Sequence, residues 1–275
     1  MILLVSSIKD VASVNISRQI LHYFPFSKTN STFQQNPVYS ANIQGKQAVL
    51  VTLQTESVNA QDLSSSYPDA DLVMFVSRHS SASGTPTLSV HAPGNFGAAE
   101  LGGLPKKLSV CPGNAMKDAL HELSNQRESM NLDYEVSYEC THHGPSLNVP
   151  AMFVELGSSD EQWSDKLAAK AVATAAMYAV TNFRKVPEGA VVLGIGGPHY
   201  NRQFTRMALR GEAVFGHMIP KYAINIIDAE MLRHCVKQTV EPVECAILDW
   251  KGIKSEDKPK LLESLKEIGL PHKKT

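Results

Sequence analysis

Neither sign of charge is in excess: 26 Lys and Arg stand against 27 Asp and Glu in 275 residues, a formal net charge of -1. A chain without a basic surplus does not wrap nucleic acid over its whole surface, although a local basic patch can still grip one end of an RNA. Cysteine is scarce. Its four residues, Cys111, Cys140, Cys235 and Cys245, form no CxxC pair, so neither a zinc ribbon nor a disulfide framework is indicated. Scattered thiols fit a reducing cytoplasm. Aromatic residues amount to 7% and do not cluster with the basic ones, which counts against an RNA-binding module without catalysis. No run approaches the roughly 18 apolar residues of a membrane span. The apolar start, Met1–Ser7, has no leading Lys or Arg and is too short for a signal peptide. Internal repeats and low-complexity tracts are absent as well. What remains is an ordinary globular composition with 43% hydrophobic residues.

The chain reads as alternating strands and helices. Strands are predicted at Ile2–Val5, Ala48–Leu53, Leu72–Val76, Thr87–His91, Tyr134–Glu139, Ala151–Leu156, Ala190–Ile195 and Ala246–Trp250, from β-branched runs and period-2 alternation. The longest helix is expected from Asp160 to Asn182, opened by a capping box of Ser158 and Glu161 and packed on more than one side. Further helices are expected at Asn114–Gln126, Tyr200–Arg210 and Lys258–Ile268. Strands separated by helices predict an α/β fold with a mixed, largely parallel central sheet and helices on both faces. Ser27–Asn36 and Asn95–Lys107 are the most linker-like segments, and neither splits the chain. Residues 1–275 therefore read as one domain, with room for an inserted subdomain.

Histidines mark the candidate chemistry. His79 follows the Leu72–Val76 strand, His91 ends the next in His91-Ala-Pro-Gly94, and His142 and His143 lie in Thr141-His-His-Gly-Pro145. His199 follows a strand in Gly194-Ile-Gly-Gly-Pro-His-Tyr200. Ligands in open α/β sheets bind beyond the carboxyl ends of strands, so such loops are expected to gather at one edge. Ligands from separate loops suit a catalytic zinc with three protein ligands and a water. His142 and His143 are adjacent, point different ways and are not expected to ligate one ion together. Glu139 and Glu155 are candidates for ligand, orienting group or base. A cysteine nucleophile, Cys111 or Cys140, is the lesser option.

The Gly194–His199 turn is neither a Walker A loop nor a full GxGxxG. It reads instead as a close-approach loop that presents His199. Just after it, Arg202, Arg206 and Arg210 recur every four residues on the predicted helix, placing three guanidinium groups on one face. Phe215–Tyr222 reads as a loop that adds His217 and Lys221.

Together these strings resemble a known family. Thr141-His-His-Gly-Pro145, Phe153-Val-Glu-Leu-Gly157 followed by the Trp163 helix, and Gly194-Ile-Gly-Gly-Pro-His-Tyr200 are similar to the archaeal- and plant-type D-aminoacyl-tRNA deacylases. Ser77-Arg-His-Ser-Ser81 and His91-Ala-Pro-Gly94 add to the match, which runs from Ser77 to Trp250 in order. The resemblance implies a hydrolase that cleaves the ester between a D-amino acid and the terminal ribose of tRNA. It also implies a zinc-dependent, cytoplasmic monomer whose fold is similar to peptidyl-tRNA hydrolases and purine nucleoside phosphorylases. An activated acyl ester needs an oriented water, a base and a stabiliser for the oxyanion. For those tasks His79, His142 and His199 are the expected metal or water-activating residues, with His143 and Glu155 as base or orienter. Backbone N–H groups of Gly196 and Gly197 would bind the oxyanion or a phosphate, and Arg202 and Arg206 the acceptor stem of the tRNA.

Two other functions compete. A phosphate-dependent nucleoside phosphorylase would use the Gly194–His199 loop for its phosphate, but the arginine stripe offers more cationic surface than one phosphate needs. A non-catalytic tRNA-binding module ranks last on its aromatic content.

Overall fold

A computed structural model describes residues 1–184 and 191–275. The chain opens with β1 (Ile2–Ser7), α1 (Val11–Tyr23), β2 (Ser27–Phe33), β3 (Asn36–Ile43) and β4 (Lys46–Leu53). The single-turn α2 (Leu63–Ser66), β5 (Leu72–Ser80), β6 (Thr87–His91), α3 (Gly113–Ser129), β7 (Glu135–Tyr138) and β8 (Ala151–Ser158) follow. Next come α4 (Asp160–Ser164) and α5 (Lys166–Asn182). The last part holds β9 (Val191–Ile195), α6 (Arg202–Leu209), β10 (Val214–Ile219), α7 (Ala229–Lys237), β11 (Val243–Leu248), α8 (Lys258–Glu267) and β12 (His272–Lys274).

The strands form an eight-stranded sheet in the order β2-β3-β4-β1-β5-β8-β6-β7 and a four-stranded sheet in the order β10-β9-β11-β12. In the large sheet β4, β1, β5 and β8 are parallel, which suits their continuous apolar runs. β3 pairs antiparallel to β4, and β6 antiparallel to β8, with β7 parallel to β6. The small sheet is parallel throughout. The fold is the mixed, largely parallel α/β architecture expected from the sequence.

Side-chain alternation sorts the two faces of the large sheet. Leu72, Met74 and Val76 of β5 and Met152, Val154 and Leu156 of β8 enter one core with buried residues of α1, α3 and α5. Val192, Phe215 and Met218 of the small sheet belong to the same core, which ties the two sheets together. The opposite face of β5 and β8 carries Phe75 and Phe153, stacked at 4.5 Å, within a smaller core that includes Leu63 of α2. On the far side of the small sheet, Leu232 and Cys235 of α7 and Leu261 and Leu265 of α8 cover Leu193, Ile195 and Leu248.

Several boundaries differ from expectation for local reasons. The helix expected from Asp160 to Asn182 is broken at Asp165, whose carboxylate caps α5 by accepting from Leu167 N and Ala168 N. The capping box is Ser159 with Gln162, because Ser158 ends β8 and its hydroxyl donates to Thr85 O. Ser27–Asn36 is no linker but the β2–β3 hairpin at the sheet edge, so exposed and polar that no apolar run signals it. Phe215–Tyr222 is mostly strand β10 rather than loop. Helices α1 and α7 were not anticipated from the sequence, while Ala190 of one predicted strand lies outside the described residues. α5 is buried on several sides, as its Ala-rich sequence implied.

Candidate active site

The histidines gather over one face of the large sheet, in a cleft that Asp10, Glu56 and Ser80 border at the carboxyl ends of β1, β4 and β5. Parallel register pairs Ser77 with Glu155 and His79 with Gly157, and antiparallel register pairs Ser89 with Glu155 and His91 with Phe153. Ser77, His79, Glu155, Ser89 and His91 therefore project on the Phe75–Phe153 side, away from α1, α3 and α5. β6 and β7 run opposite to β5 and β8, so His91, the last residue of β6, arrives mid-face beside Phe153. The small sheet lends a loop to this face: Cys140 N donates to His199 O at 2.9 Å, and Asn201 N to Tyr138 O at 3.1 Å. Glu139 and Tyr200 form an isolated β-bridge between the two sheets.

Glu139 is the hub. Its carboxylate, 1% exposed, lies 3.1 Å from His79 Nδ1, 2.9 Å from His199 Nε2 and 3.6 Å from His142 Nε2. Glu155 accepts from Ser77 Oγ at 2.5 Å and lies 3.7 Å from His91 Nε2. The cleft above them has a volume of about 400 Å³ and reaches His79, Glu139, His142, His143, Glu155 and His199. That volume lies in the small-ligand range.

A second cluster adjoins the hub. The rings of His91 and His142 are 4.1 Å apart, those of His142 and His143 4.2 Å, and those of His91 and His143 4.8 Å. Each ring sets its Nδ1 against a backbone carbonyl: His91 against Ala92 O at 3.3 Å, His142 against Cys140 O at 2.9 Å, His143 against Gly144 O at 2.7 Å. Such bonds fix the tautomer in which Nε2 carries the lone pair, the form a metal ligates. Adjacent His142 and His143, expected to point different ways, instead set their rings side by side. His143 has a left-handed backbone, φ 41°, which turns its ring back beside that of His142. A non-glycine residue held there is strained, and such strain clusters at functional sites.

Burial sets the protonation pattern. It pushes His91 down to about 4 and, helped by the neighbouring His91, His143 down to about 3. His142 falls well below the usual range, first by desolvation and then by its two histidine neighbours. Burial alone would raise the Glu139 carboxyl, but hydrogen bonds from His199 and His79 and the charge on the rings hold it well below the ordinary carboxylate range. His79 moves up, because those interactions outweigh the lowering effect of its own burial. Glu155 is raised well above the ordinary range by burial and by the charge of Glu139. One face thus holds an ion pair, Glu139–His79, beside three neutral imidazoles.

The donors fit a metal ion. His91, His142 and His143 form one group of candidate ligand atoms within 4.8 Å of one another; Glu139, His142 and His199 form a second, and His79, Glu139 and Glu155 a third. His91 Nε2 and His79 Nε2 are buried without hydrogen-bond partners. The lone pair of His142 Nε2 faces Glu139 Oε2, an opposition of two acceptors that a cation relieves. His79, His142 and His199, expected as ligands, do not make one three-histidine set; Glu139 stands among them.

Other expected residues are placed differently. Gly196 (φ 104°) donates its N–H to Ile219 O at 2.8 Å and is not free to bind an oxyanion. Gly197 (φ 76°) packs where a Cβ would sit 2.7 Å from Asn201 Nδ2 and Asp249 Oδ2. Arg202 is paired with Glu135 at 2.9 and 3.2 Å, and neither Arg202 nor Arg206 lines the histidine cleft. His217 lies buried in β10, accepting from Thr141 Oγ1 and donating to the carbonyls of Ser109 and Gln238. The thiols of Cys111 and Cys140 are buried and pushed up by that burial, the opposite of an activated nucleophile. His91 was visible in the sequence without an assigned role, and Glu139 as a candidate ligand, orienting group or base whose central place was not foreseen. The period-2 Thr87-Leu-Ser-Val-His91 run, apolar on one face and polar on the other, carries the signal for His91.

Residues 66–273 match the family described as D-aminoacyl-tRNA deacylase. The D-aminoacyl-tRNA deacylase of Thermococcus kodakarensis is 36% identical over 267 residues, 95% of each chain. That of Pyrococcus furiosus is 36% identical over 275 residues, again 95% of each. The crystal structure of AF0625, a conserved protein of unknown function, superposes with a TM-score of 0.86 at 30% identity, covering 100% of this chain and 95% of that one.

Proposed function

Because the chain belongs to the D-aminoacyl-tRNA deacylase family, we propose that it hydrolyses the ester linking a D-amino acid to the terminal ribose of tRNA at the histidine cleft. The observation that carries this reading is the convergence of three carbonyl-anchored histidines and the Glu139–His199 pair on one cleft. His91, His142 and His143 would hold the metal through Nε2, and an imidazole donor set suits zinc. A zinc ion bound there would polarise an ester carbonyl and lower the pKa of a bound water.

The chain's own residues supply the rest. Glu139 accepts from His199 Nε2, which leaves His199 Nδ1 as the basic nitrogen, 3.1 Å from the Tyr222 hydroxyl at the cleft mouth. His199 Nδ1 is placed to take the proton of an attacking water, with Glu139 stabilising the imidazolium that results. His79 holds the other side of the Glu139 carboxylate and keeps it ionised. Glu155, bonded by Ser77 on the cleft floor, is positioned to hand a proton to the leaving ribose oxygen. Burial of these groups removes competing water and strengthens each interaction.

The same reading has residues 1–275 acting as one domain, a cytoplasmic monomer that takes the acceptor end of tRNA and neither DNA nor membrane. The core shared by both sheets supports the single domain. Among the described residues no helix is long and apolar enough to cross a membrane.

The deciding experiment pairs metal analysis of the purified protein with hydrolysis of D- and L-aminoacyl-tRNA. Expected are stoichiometric zinc and turnover of the D substrate that chelation abolishes and zinc restores. Full turnover after exhaustive metal removal refutes the metal assignment. No turnover of any D-aminoacyl-tRNA by the metal-loaded protein refutes the activity.

A further inference from the structure

A second, larger cleft of about 580 Å³ lies between the segment that follows β6 and helix α7. Phe96 and Ile226 line it, and both also line a cleft of about 380 Å³ that borders His142 and His143, so the two clefts adjoin. Lys106, Lys107 and Lys237 line the large cleft, and none has a carboxylate partner among the described residues. The remaining charges on its rim are engaged or few. Arg233 is held by Glu267 at 2.8 Å, and Asp228 caps Met231 N at 2.8 Å, leaving Glu230 as the other carboxylate. Lys106 sits at φ 51°, a left-handed turn closed by its N–H donating to Gly97 O at 2.8 Å. His234 on the same wall is lowered by burial and then by the charges of Lys107 and Lys237, which Glu230 opposes. Where the smaller cleft meets the histidines, Tyr222 and Ile226 are exposed, 60% and 49%.

We propose that this cleft is the track for the sugar–phosphate backbone of the tRNA acceptor end, with the terminal base seated on Tyr222 and Ile226. The proposal rests on the deacylase reading and adds where the RNA lies. Lysines without carboxylate partners neutralise phosphates and release counterions, and an exposed aromatic ring stacks on a base of any identity. The arginine face of α6, already paired through Arg202 and Glu135, is then not the RNA surface.

The test measures binding of deacylated tRNA at several salt concentrations, independently of hydrolysis. It compares the wild-type protein, a Lys106→Glu/Lys107→Glu/Lys237→Glu triple variant and an Arg202→Glu/Arg206→Glu double variant. The triple variant should bind more than roughly 30-fold more weakly, with a salt slope smaller by about 2 for three lost phosphate contacts. The double variant should stay within about threefold of wild type. Unchanged affinity in the triple variant, or an equal loss in the double, overturns the track. Should the triple reversal impair folding, the Lys106→Gln/Lys237→Gln pair provides the same comparison with milder changes. Hydrolysis is scored separately. Cleavage with unchanged affinity in the triple variant refutes the track alone, whereas lysine-dependent binding without cleavage of any D-aminoacyl ester refutes the deacylase reading alone.

Discussion

Replacing Glu139 by Gln keeps the shape of the hub and removes its charge. The carboxylate makes two short charge-assisted contacts, 2.9 Å to His199 Nε2 and 3.1 Å to His79 Nδ1. Hydrogen bonds to ionised groups contribute about 1.5–3 kcal/mol each, so about 3–6 kcal/mol of orienting energy is at stake. At 1.36 kcal/mol per tenfold, full loss corresponds to roughly 10² to 10⁴ in rate. The Gln carbonyl restores one neutral acceptor, so the expected fall in kcat on D-aminoacyl-tRNA is about 10³-fold, with KM for tRNA unchanged. Global stability should change little at pH 7, because His79, deprived of its anion, sheds its proton under the same burial and leaves no unpaired charge inside. Single-turnover hydrolysis and thermal unfolding read the two effects apart. A kcat within threefold of wild type refutes the hub argument. A fall in kcat matched by loss of folded protein assigns Glu139 to structure instead.

Other outcomes follow from the same geometry. His91→Ala removes a buried imidazole whose Nε2 has no partner, and metal content by elemental analysis should drop below about a tenth of wild type; retained stoichiometric metal contradicts the three-histidine assignment. Gly144→Ala would drive a Cβ into the backbone of Gly103 and Val58, so the His142–His143 loop must shift, and hydrolysis should fall at least about 10²-fold while the core persists by circular dichroism. His217 gives a pH test of stability. Its folded pKa, about 4, lies below the unfolded 6.5, so its neutral form stabilises fully above pH 6.5 and that contribution is lost as pH falls toward 4. At pH 5 the loss is about 2 kcal/mol. Metal-free wild type should thus lose about 2 kcal/mol more than His217→Gln between pH 7 and pH 5 in denaturant titrations; parallel pH profiles refute the argument.

Elements that advertise themselves locally were legible in the sequence. The apolar runs of β1, β5 and β8 and the Ala-rich α5 were found because burial on several sides demands continuous apolar sequence. The polar hairpin β2–β3 escaped, since an exposed edge strand needs no apolar pattern. β10 escaped because Gly216 and His217 interrupt its alternation, while its tertiary partners Thr141, Ser109 and Gln238 satisfy the buried imidazole. Of the site, four of the five strand-end histidines were assigned a role and His91 was not, while Glu139 was named as ligand, orienting group or base without being singled out as the hub. A His at the end of a strand or a lone Glu carries no local mark of which distant side chains it meets.

The amino-acid order by itself determined the residue types, the class of fold, the histidine-bearing turns and the strings that carry the family resemblance, because each depends on neighbours within a few positions. Only the tertiary structure decided which groups meet. The direction of β6 relative to β8 put His91 beside His142, and the left-handed backbone of His143 brought adjacent rings to one side. Arg202, one of the stripe that helical spacing had displayed, pairs with Glu135, while lysines 130 positions apart in the chain came to line one cleft. Contact between residues distant in sequence is set by strand order and register, and no local pattern encodes those.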